Sequence, residues 1–468
     1  MNAETFDLVV IGAGPAGEKG AITAAFFGKR VALVEKQALV GGAVANTGTM
    51  PSKMLRESAL ALMGIKGREL RGVHVELRSD ATITDLMHHR SRIAAIQRER
   101  SLSYLSEVGV TLAHGHASFV DPQVIRVRSN SGDRFLRAHR VLIATGSSAF
   151  RPPVFPVDDP RICDPNEILS LTRLPRRLII VGAGVIASES ACTFAALGSK
   201  VTVCEKDDAF LPFLDREIST SLLESMKRLE VQFHWSEQVV GCDVAGPDAS
   251  VGVTLASGRK IEGDAVLVAV GRTSNTADLG LDVIGIPVGA HGVISVDEHG
   301  RTAAPHVYAA GDVVGSPALV SAAIEQARVA VAHAFELKVR VSKSPVVPTG
   351  IYTIPEVSFA GETEESLRAK GIDYVVGKAA YRDSVRGQLL GEREGFLKLL
   401  FRRNDLKLLG VHVIGEQAAE LVHTGLLALL EGADWQYFNQ VCFNFPTLAW
   451  LYQRATYDAA AKSRTSSH

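Results

Sequence analysis

Two stretches of this 468-residue chain carry glycines at a spacing that serves one kind of chemistry. In FDLVVIGAGPAGEKGAITAAFFGKRVALVEK, residues 6–36, Gly12, Gly14 and Gly17 follow an apolar run and open a helix-forming segment. The first glycine makes a tight turn, the second admits a pyrophosphate to the backbone, and the third lets helix pack on strand. An anion placed there meets unpaired N–H groups and the positive end of the helix dipole. Glu35 ends the next apolar run, where a carboxylate can accept hydrogen bonds from ribose hydroxyls. RLIIVGAGVIASESACTFAALGSKVTVCEK, residues 177–206, repeats the arrangement with Gly182, Gly184 and Ala187, and reaches Glu205. Alanine is small enough for the third role. A lone glycine turn is common in any α/β protein. Two complete units imply two nucleotides, against the bland alternative of a second unit kept only for packing.

The elements that must position these residues follow from local pattern. Each unit reads strand, glycine turn, helix, strand, and the run Leu8 to Ile11 suits a strand buried in a parallel sheet. Residues 82–108 read as one long helix whose Arg90, Arg92, Arg98 and Arg100 form a solvated face rather than a binding patch. His114 and His116 alternate as on a strand with no third ligand nearby, so no metal site is expected. From about residue 345, strand-like runs such as GFLKLLF and GVHVIG alternate with helical ones such as EQAAELVHTGLLALL and TLAWLYQRATYDAAA.

Composition bounds the classes. The length asks for three or four domains. A hydrophobic content of 46%, 22% charged residues and a net charge of -1 describe a globular protein with no basic field for nucleic acid or anionic membrane. No run approaches the roughly 18 apolar residues of a membrane span. The start MNAETFDLVVIGAG enters a strand at once and reads as mature structure rather than a signal peptide. Cys163, Cys192, Cys204, Cys242 and Cys442 include no C-x-x-C pair, and each reads as a small buried apolar residue in a reducing, cytoplasmic setting.

A third stretch, VGGAVANTGTMPSKMLRE at residues 40–57, has two glycines, a short turn, and Pro51-Ser52-Lys53 opening a helix. This frame resembles the flavin-facing segment of the class I pyridine nucleotide-disulfide oxidoreductases, which include dihydrolipoamide dehydrogenase and glutathione reductase. The soluble pyridine nucleotide transhydrogenases belong beside them, and LLGVHVIGEQAAELVHTGLLALL, FLDREIS and the G-T-x-P-S-K frame are closer to those. The disulfide reductases hold two redox cysteines in the frame, where this chain has Val44 and Thr49. Their C-terminal H-P-T-x-x-E proton relay is replaced by FNFPTLAW, with Phe445 and Trp450 in the histidine and glutamate places. Losing thiols and base together is consistent, because a base there has no thiol to deprotonate.

The resemblance covers the chain except SRTSSH at its end. It implies an α/β fold with two Rossmann-like dinucleotide-binding domains, glutathione reductase-like, plus an α+β dimerisation domain. Residues 1–150 would be the first part of an FAD domain, 151–272 the NAD(P) domain, 273–344 the second FAD part, and 345–468 the dimerisation domain of a homodimer. For the flavin it implies Gly12, Gly14, Pro15, Ala16, Gly17, Glu35, Lys36, Gly41, Gly42, Thr47, Gly48 and Lys53. To these it adds His116 and Ala117 at the adenine, Ala144, Thr145 and Gly146 at the A-T-G crossover, Gly311 and Asp312 in A-A-G-D, and Ala318, Leu319 and Ala322 at the following helix, while Gly271 and Arg272 stand at the crossover that closes the nicotinamide domain. For the nicotinamide nucleotide it implies Gly182, Gly184, Val185, Ile186, Glu189 and Glu205. Lys53 and Glu189 take the catalytic places, the lysine beside the flavin's hydride-accepting nitrogen and the glutamate near nicotinamide, paired with it; their bland alternatives are helix-surface residues. The implied activity is thiol-independent hydride transfer through FAD between NAD(H) and NADP(H), and Glu205 with Asp207 and Asp208 after it makes the latter the poorer partner. The alternatives are an NAD(P)H dehydrogenase reducing a quinone or other small acceptor, and a flavin-bearing structural subunit.

Overall fold

The computed structural model describes residues 3–67, 76–78, 80–88, 90–156, 158–244, 246, 250–338, 346–391 and 394–465. The expected domain boundary at 344–345 lies outside them. The chain forms two compact units, one of Met1–Met54, Met87–Phe150 and Gly271–Lys343, the other of Leu55–Leu86, Arg151–Val270 and Ser344–His468. The chain thus leaves the first unit after Phe150 and re-enters it at Gly271.

The first unit is built on a sheet whose central strand, Glu4–Ile11, pairs in parallel with Val31–Glu35 on one side and Gly132–Ile143 on the other. Thr111–His114 extends one edge in parallel, and Val307–Ala309 pairs with the second half of Gly132–Ile143. The first half of that long strand turns antiparallel, pairing with Val124–Ser129, which pairs with His116–Asp121. Burial on both faces explains the unbroken apolar runs: Leu8, Val9, Val10, Leu33 and Val34 are all buried. Helices Pro15–Phe26 and Val320–Ala334 pack on one face through small residues, among them Gly20, Ala24, Ala323, Ala327 and Ala330.

The second unit contains a five-stranded parallel sheet in the order Gln232–His234, Lys200–Cys204, Arg177–Val181, Ala265–Val268, Ile162–Cys163. An antiparallel sheet of Val239–Val244, Val251–Leu255 and Lys260–Gly263 accompanies it. A separate five-stranded antiparallel sheet runs Thr349–Ile351, Val357–Gly361, Leu408–Ile414, Phe396–Arg402, Tyr374–Ala380. Helices Ala418–Leu430 and Leu451–Thr465 cover it, so both expected strands and both expected helices of the C-terminal region are present.

Four local expectations need correction. The helix read over 82–108 is two, Ile83–Leu86 and Arg90–Glu107, with Ile83 buried at the start of the first and Met87 buried just past its end. Arg92 and Arg100 are exposed as expected, but half-buried Arg98 donates to Asn46 Oδ1 at 3.3 Å. His114 and His116 lie on different strands, with Gly115 at φ 150° between them. Among the cysteines, Cys163, Cys192 and Cys204 are buried, whereas Cys242 is half-buried and Cys442 is exposed.

Candidate functional site

The two glycine turns are built alike. Gly12 has φ 103° and Gly182 φ 100°, a region that excludes side chains, and a Cβ would lie 2.4 Å from Ala144 O or 2.5 Å from Ala269 O respectively. Backbone bonds lock each turn between its strands: Gly12 N donates to Val34 O and Gly182 N to Cys204 O, both at 2.8 Å. A Cβ on Gly17 would fall 1.8 Å from Gly12 O, so the third glycine is fixed by close helix–strand packing; Ala187, fully buried, fits in the second unit.

The acids after the second strands do more than the sequence indicated. Glu35 accepts from Ala13 N (2.8 Å) through one oxygen and from Gln37 N (2.8 Å) through the other. Glu205 does the same with Ala183 N (2.6 Å) and Asp207 N (3.1 Å). Each carboxylate ties its glycine turn to the loop after the strand and retains lone pairs for ribose. Lys36 lies beside Glu35 and is exposed.

Neither helix that opens from these turns, Pro15–Phe26 or Val185–Ala196, has a side-chain cap; Gly14 and Gly184 stand at the cap positions. Their first N–H groups therefore await another acceptor, which suits a pyrophosphate. Gly184 has no atom within 4 Å of a built Cβ, and a Cβ on Gly42 would meet Gly14 Cα at 2.7 Å. At the first cradle the backbones of Gly14 and Gly42 thus approach closely, with Gly41 N bonded to Ala13 O at 2.8 Å. These features fit a dinucleotide in each unit.

All flavin residues expected from the sequence fall in the first unit. The segment after Gly42 forms helix Gly42–Asn46, held by Asn46 Nδ2 donating to Val40 O and Gly42 O at 3.0 Å. Thr47 and Gly48 close the turn by bonding Ala43 O. Helix Thr49–Gly67 then begins two residues before Pro51 and carries half-buried Lys53. Val44 is half-buried and Thr49 exposed where the related enzymes hold thiols. His116 Nδ1 is buried without a partner beside buried Ala117. Ala144, Thr145 and Gly146 follow strand Gly132–Ile143, and strand Arg272–Ser274 after Gly271 pairs with Ser147–Ala149.

A hydrogen-bonded lattice that the sequence did not single out joins these crossovers. Thr145 Oγ1 donates to Asn275 O (2.7 Å), Asn275 Nδ2 to Thr145 O (2.9 Å), and Ser148 Oγ to Asn275 Oδ1 (2.7 Å). Ser147 Oγ donates to Asp312 Oδ2 at 2.8 Å, and Arg272 Nε donates to Ser147 Oγ at 2.7 Å. Asp312 is thereby aimed from a short helix that begins after Gly311, itself at φ 81° with its N–H on Gln326 Oε1. Ala318 and Leu319 lead into helix Val320–Ala334, whose N-terminus has no side-chain cap and whose Ala322 is buried. Only the reciprocal polar side chains in ATGSS and RTSNT hinted at this lattice.

In the second unit, Val185 and Ile186 open the helix and Glu189 lies one turn on, accepting from Tyr352 N at 2.8 Å. A helix-surface glutamate would not need that bond. Burial pushes the thiols of Cys163, Cys192 and Cys204 up to about 12, and of Cys242 to about 11. Thiols so raised are protonated and unreactive at neutral pH.

A family model for pyridine nucleotide-disulphide oxidoreductases matches residues 6–327, and a model for that family's dimerisation domain matches residues 347–455. The soluble pyridine nucleotide transhydrogenase of Mycobacterium tuberculosis strain ATCC 25177 / H37Ra is 41% identical over 98% of each chain. That of Chromohalobacter salexigens is 40% identical over 97% of this chain and 98% of its own. Among solved structures, LpdA from Mycobacterium tuberculosis superposes with a TM-score of 0.89 at 27% identity, over 98% of this chain and all of its own. The flavoprotein disulfide reductase RclA from Escherichia coli gives 0.88 at 25% identity, over 98% and 99% of the two chains. With two nucleotide turns, a split first unit and a C-terminal antiparallel sheet all matched, this chain belongs to the pyridine nucleotide-disulphide oxidoreductase family.

Proposed function

We infer that the protein is an FAD-dependent oxidoreductase that passes hydride between pyridine nucleotides without thiols, in the manner of the soluble transhydrogenases. The observation that carries this reading is the pairing of two intact nucleotide turns with Val44 and Thr49 at the thiol positions, in a chain 41% identical to named transhydrogenases. When bound, FAD supplies a reversible two-electron acceptor for hydride. The residues of the chain bind, orient and tune. The uncapped helix starts after Gly14 and Gly184 take the pyrophosphates, and Glu35 and Glu205 hold both loops rigid while accepting from ribose. Lys53 sets a positive charge that favours electron density on the adjacent ring, and the N-terminus of helix Val320–Ala334 adds to it. Glu189, oriented by Tyr352 N–H, positions the nicotinamide. Asp312 is pre-aimed by Ser147 for the flavin's polar chain.

NAD(H) and NADP(H) would use one nicotinamide site in turn, so reductant must leave before acceptor enters. The matched dimerisation domain supports a homodimer. Among the described residues no helix is long and apolar enough to cross a membrane, and a cytoplasmic setting agrees with the lack of any local thiol pair.

The test is reduction of one nucleotide by the other. Anaerobic enzyme given NADH and excess NADP should form NADPH, read by mass spectrometry. No NADPH, with rapid NADH consumption once a quinone is added, would replace the transhydrogenase reading with the small-acceptor one. A flavin left oxidised by NADH would reduce the chain to a structural subunit.

A further inference from the structure

We propose that Arg56 is a positioning residue for hydride transfer, acting on Glu189 through the backbone of Tyr352 and Thr353. The proposal rests on the role given to Glu189 above and deepens it.

Arg56 lies three residues after Lys53 on helix Thr49–Gly67, and it is 4% exposed. A guanidinium so buried is retained only when its donors are used. Its Nε and Nη2 both donate to Thr353 O, at 3.2 and 3.0 Å. Nη2 also pairs with Glu356 Oε1 at 3.0 Å, and Nη1 with Glu57 Oε1 at 3.2 Å. The other oxygen of Glu356 accepts from Ala419 N at 3.2 Å, which anchors the pair to helix Ala418–Leu430. The guanidinium stands 5.8 Å from the centre of the Tyr352 ring.

The same short segment is held on the helix Val185–Ala196. Tyr352 N donates to Glu189 Oε1 at 2.8 Å. One residue on, the carbonyl of Thr353 bonds Arg56. Glu189 therefore receives its backbone donor from a residue whose successor is fixed by a charged fork. Loosening that fork lets the Tyr352 N–H drift, and with it the direction of the Glu189 carboxylate. Lysine would keep the charge but cannot bond the carbonyl and Glu356 with one planar group. No signal in the sequence marks Arg56, because Thr353 and Glu356 lie some 300 residues away.

The test uses the full-length, FAD-loaded protein and the variants Arg56→Lys, Glu189→Gln and their combination. Flavin content and circular dichroism serve as folding controls. Arg56→Lys should slow single-turnover reduction by NADH about tenfold while the NADH Kd stays within about twofold, a split that a loss of binding would not give. Hydrogen exchange of the peptide containing Tyr352 should quicken in Arg56→Lys even without nucleotide. The combined variant should be no slower than Glu189→Gln alone, within about twofold, because both changes remove one function. Multiplicative slowing in the combined variant, or unaltered rate and exchange in Arg56→Lys, would overturn the proposal while leaving Glu189 its role. A fully active Glu189→Gln would instead refute the role of Glu189 itself, whatever Arg56 does. Should Arg56→Lys fail to retain flavin, Glu356→Gln takes its place in the same cycle, with the same outcomes deciding.

Discussion

Replacing Lys398 with methionine should cost about 3–5 kcal/mol of stability, the toll of stranding a buried carboxylate. Lys398 is on strand Phe396–Arg402 with no exposed surface. Its ammonium bonds Asp215 Oδ1 at 2.8 Å, Glu364 Oε1 at 2.5 Å and Glu217 Oε2 at 3.2 Å. The three carboxylates offer oxygens within 4.8 Å of one another, a cluster that could attract a metal ion were it not already filled by this ammonium. Burial alone would lower the Lys398 ammonium, but its bonds to Asp215 and Glu364 prevail and hold it above its ordinary value. At 2.8 Å and an effective dielectric of about 20, one such pair gains roughly 6 kcal/mol of Coulomb attraction, which desolvation of several kcal/mol per ion largely cancels. The intact cluster is near balance; a broken one is not. Asp215 is 1% exposed and keeps only backbone donors, Glu217 N at 3.1 Å and Glu364 N at 3.3 Å, which places the loss toward the lower end of the range. Urea unfolding followed by circular dichroism measures it. Adding Asp215→Asn, which preserves the cap on helix Arg216–Arg228, should recover about 1–3 kcal/mol of that loss as a coupling term. A midpoint shift equivalent to less than about 1 kcal/mol at unchanged slope would show that water reaches Asp215 and that the network adds little.

Three further outcomes can be checked. His412 is 1% exposed, donates from Nε2 to Glu362 O at 2.8 Å and has no partner at Nδ1, so burial holds it below its ordinary value, and neutral, beside Asp215, Lys398 and Glu365. The unfolded chain takes up a proton below about pH 6.5 that the folded one refuses, so stability is present above that pH and falls below it by up to about 1.4 kcal/mol per pH unit. Urea titrations from pH 7.5 to 5 should show this slope in the native protein and lose it in His412→Gln; equal slopes refute it. Iodoacetamide at neutral pH should label exposed Cys442 and leave Cys163, Cys192 and Cys204 unmodified, with NADH oxidation intact, by peptide mass spectrometry and assay. Inactivation of a labelled protein that stays folded would sink thiol independence. Finally, Glu205 with exposed Lys206, Asp207 and Asp208 beyond it should make NADH the better reductant by at least about tenfold in kcat/KM, roughly 1.4 kcal/mol, and Glu205→Gln should narrow the gap. NADPH preferred at matched ionic strength would contradict the place given to Glu205.

What the sequence determined by itself is whatever depends on a few consecutive residues. Gly12 and Gly182 need φ near 100°, a demand that glycine alone meets cheaply, so both turns were legible with their helices. Apolar runs such as VVI and LII mark strands buried on both faces, whatever they pair with. The absence of thiols at 44 and 49 likewise needs no structure.

Tertiary structure decided where those elements end and which polar groups meet. The chain leaves the helix after Leu86 with Met87 buried, and no local signal in 82–108 forces that break. Lys398 in GFLKLLF, read alone, is a lysine on a strand. Asp215, 183 residues earlier, makes its burial tolerable. Nothing in the sequence singles out Arg56 before Thr353 and Glu356 close on it, and the resemblance that places Glu189 does not reveal that Tyr352 N–H orients it. The physical reason is common to all three. A charge is burial-neutral in sequence, because the free energy of desolvating it depends on partners that only the folded chain brings within 3 Å.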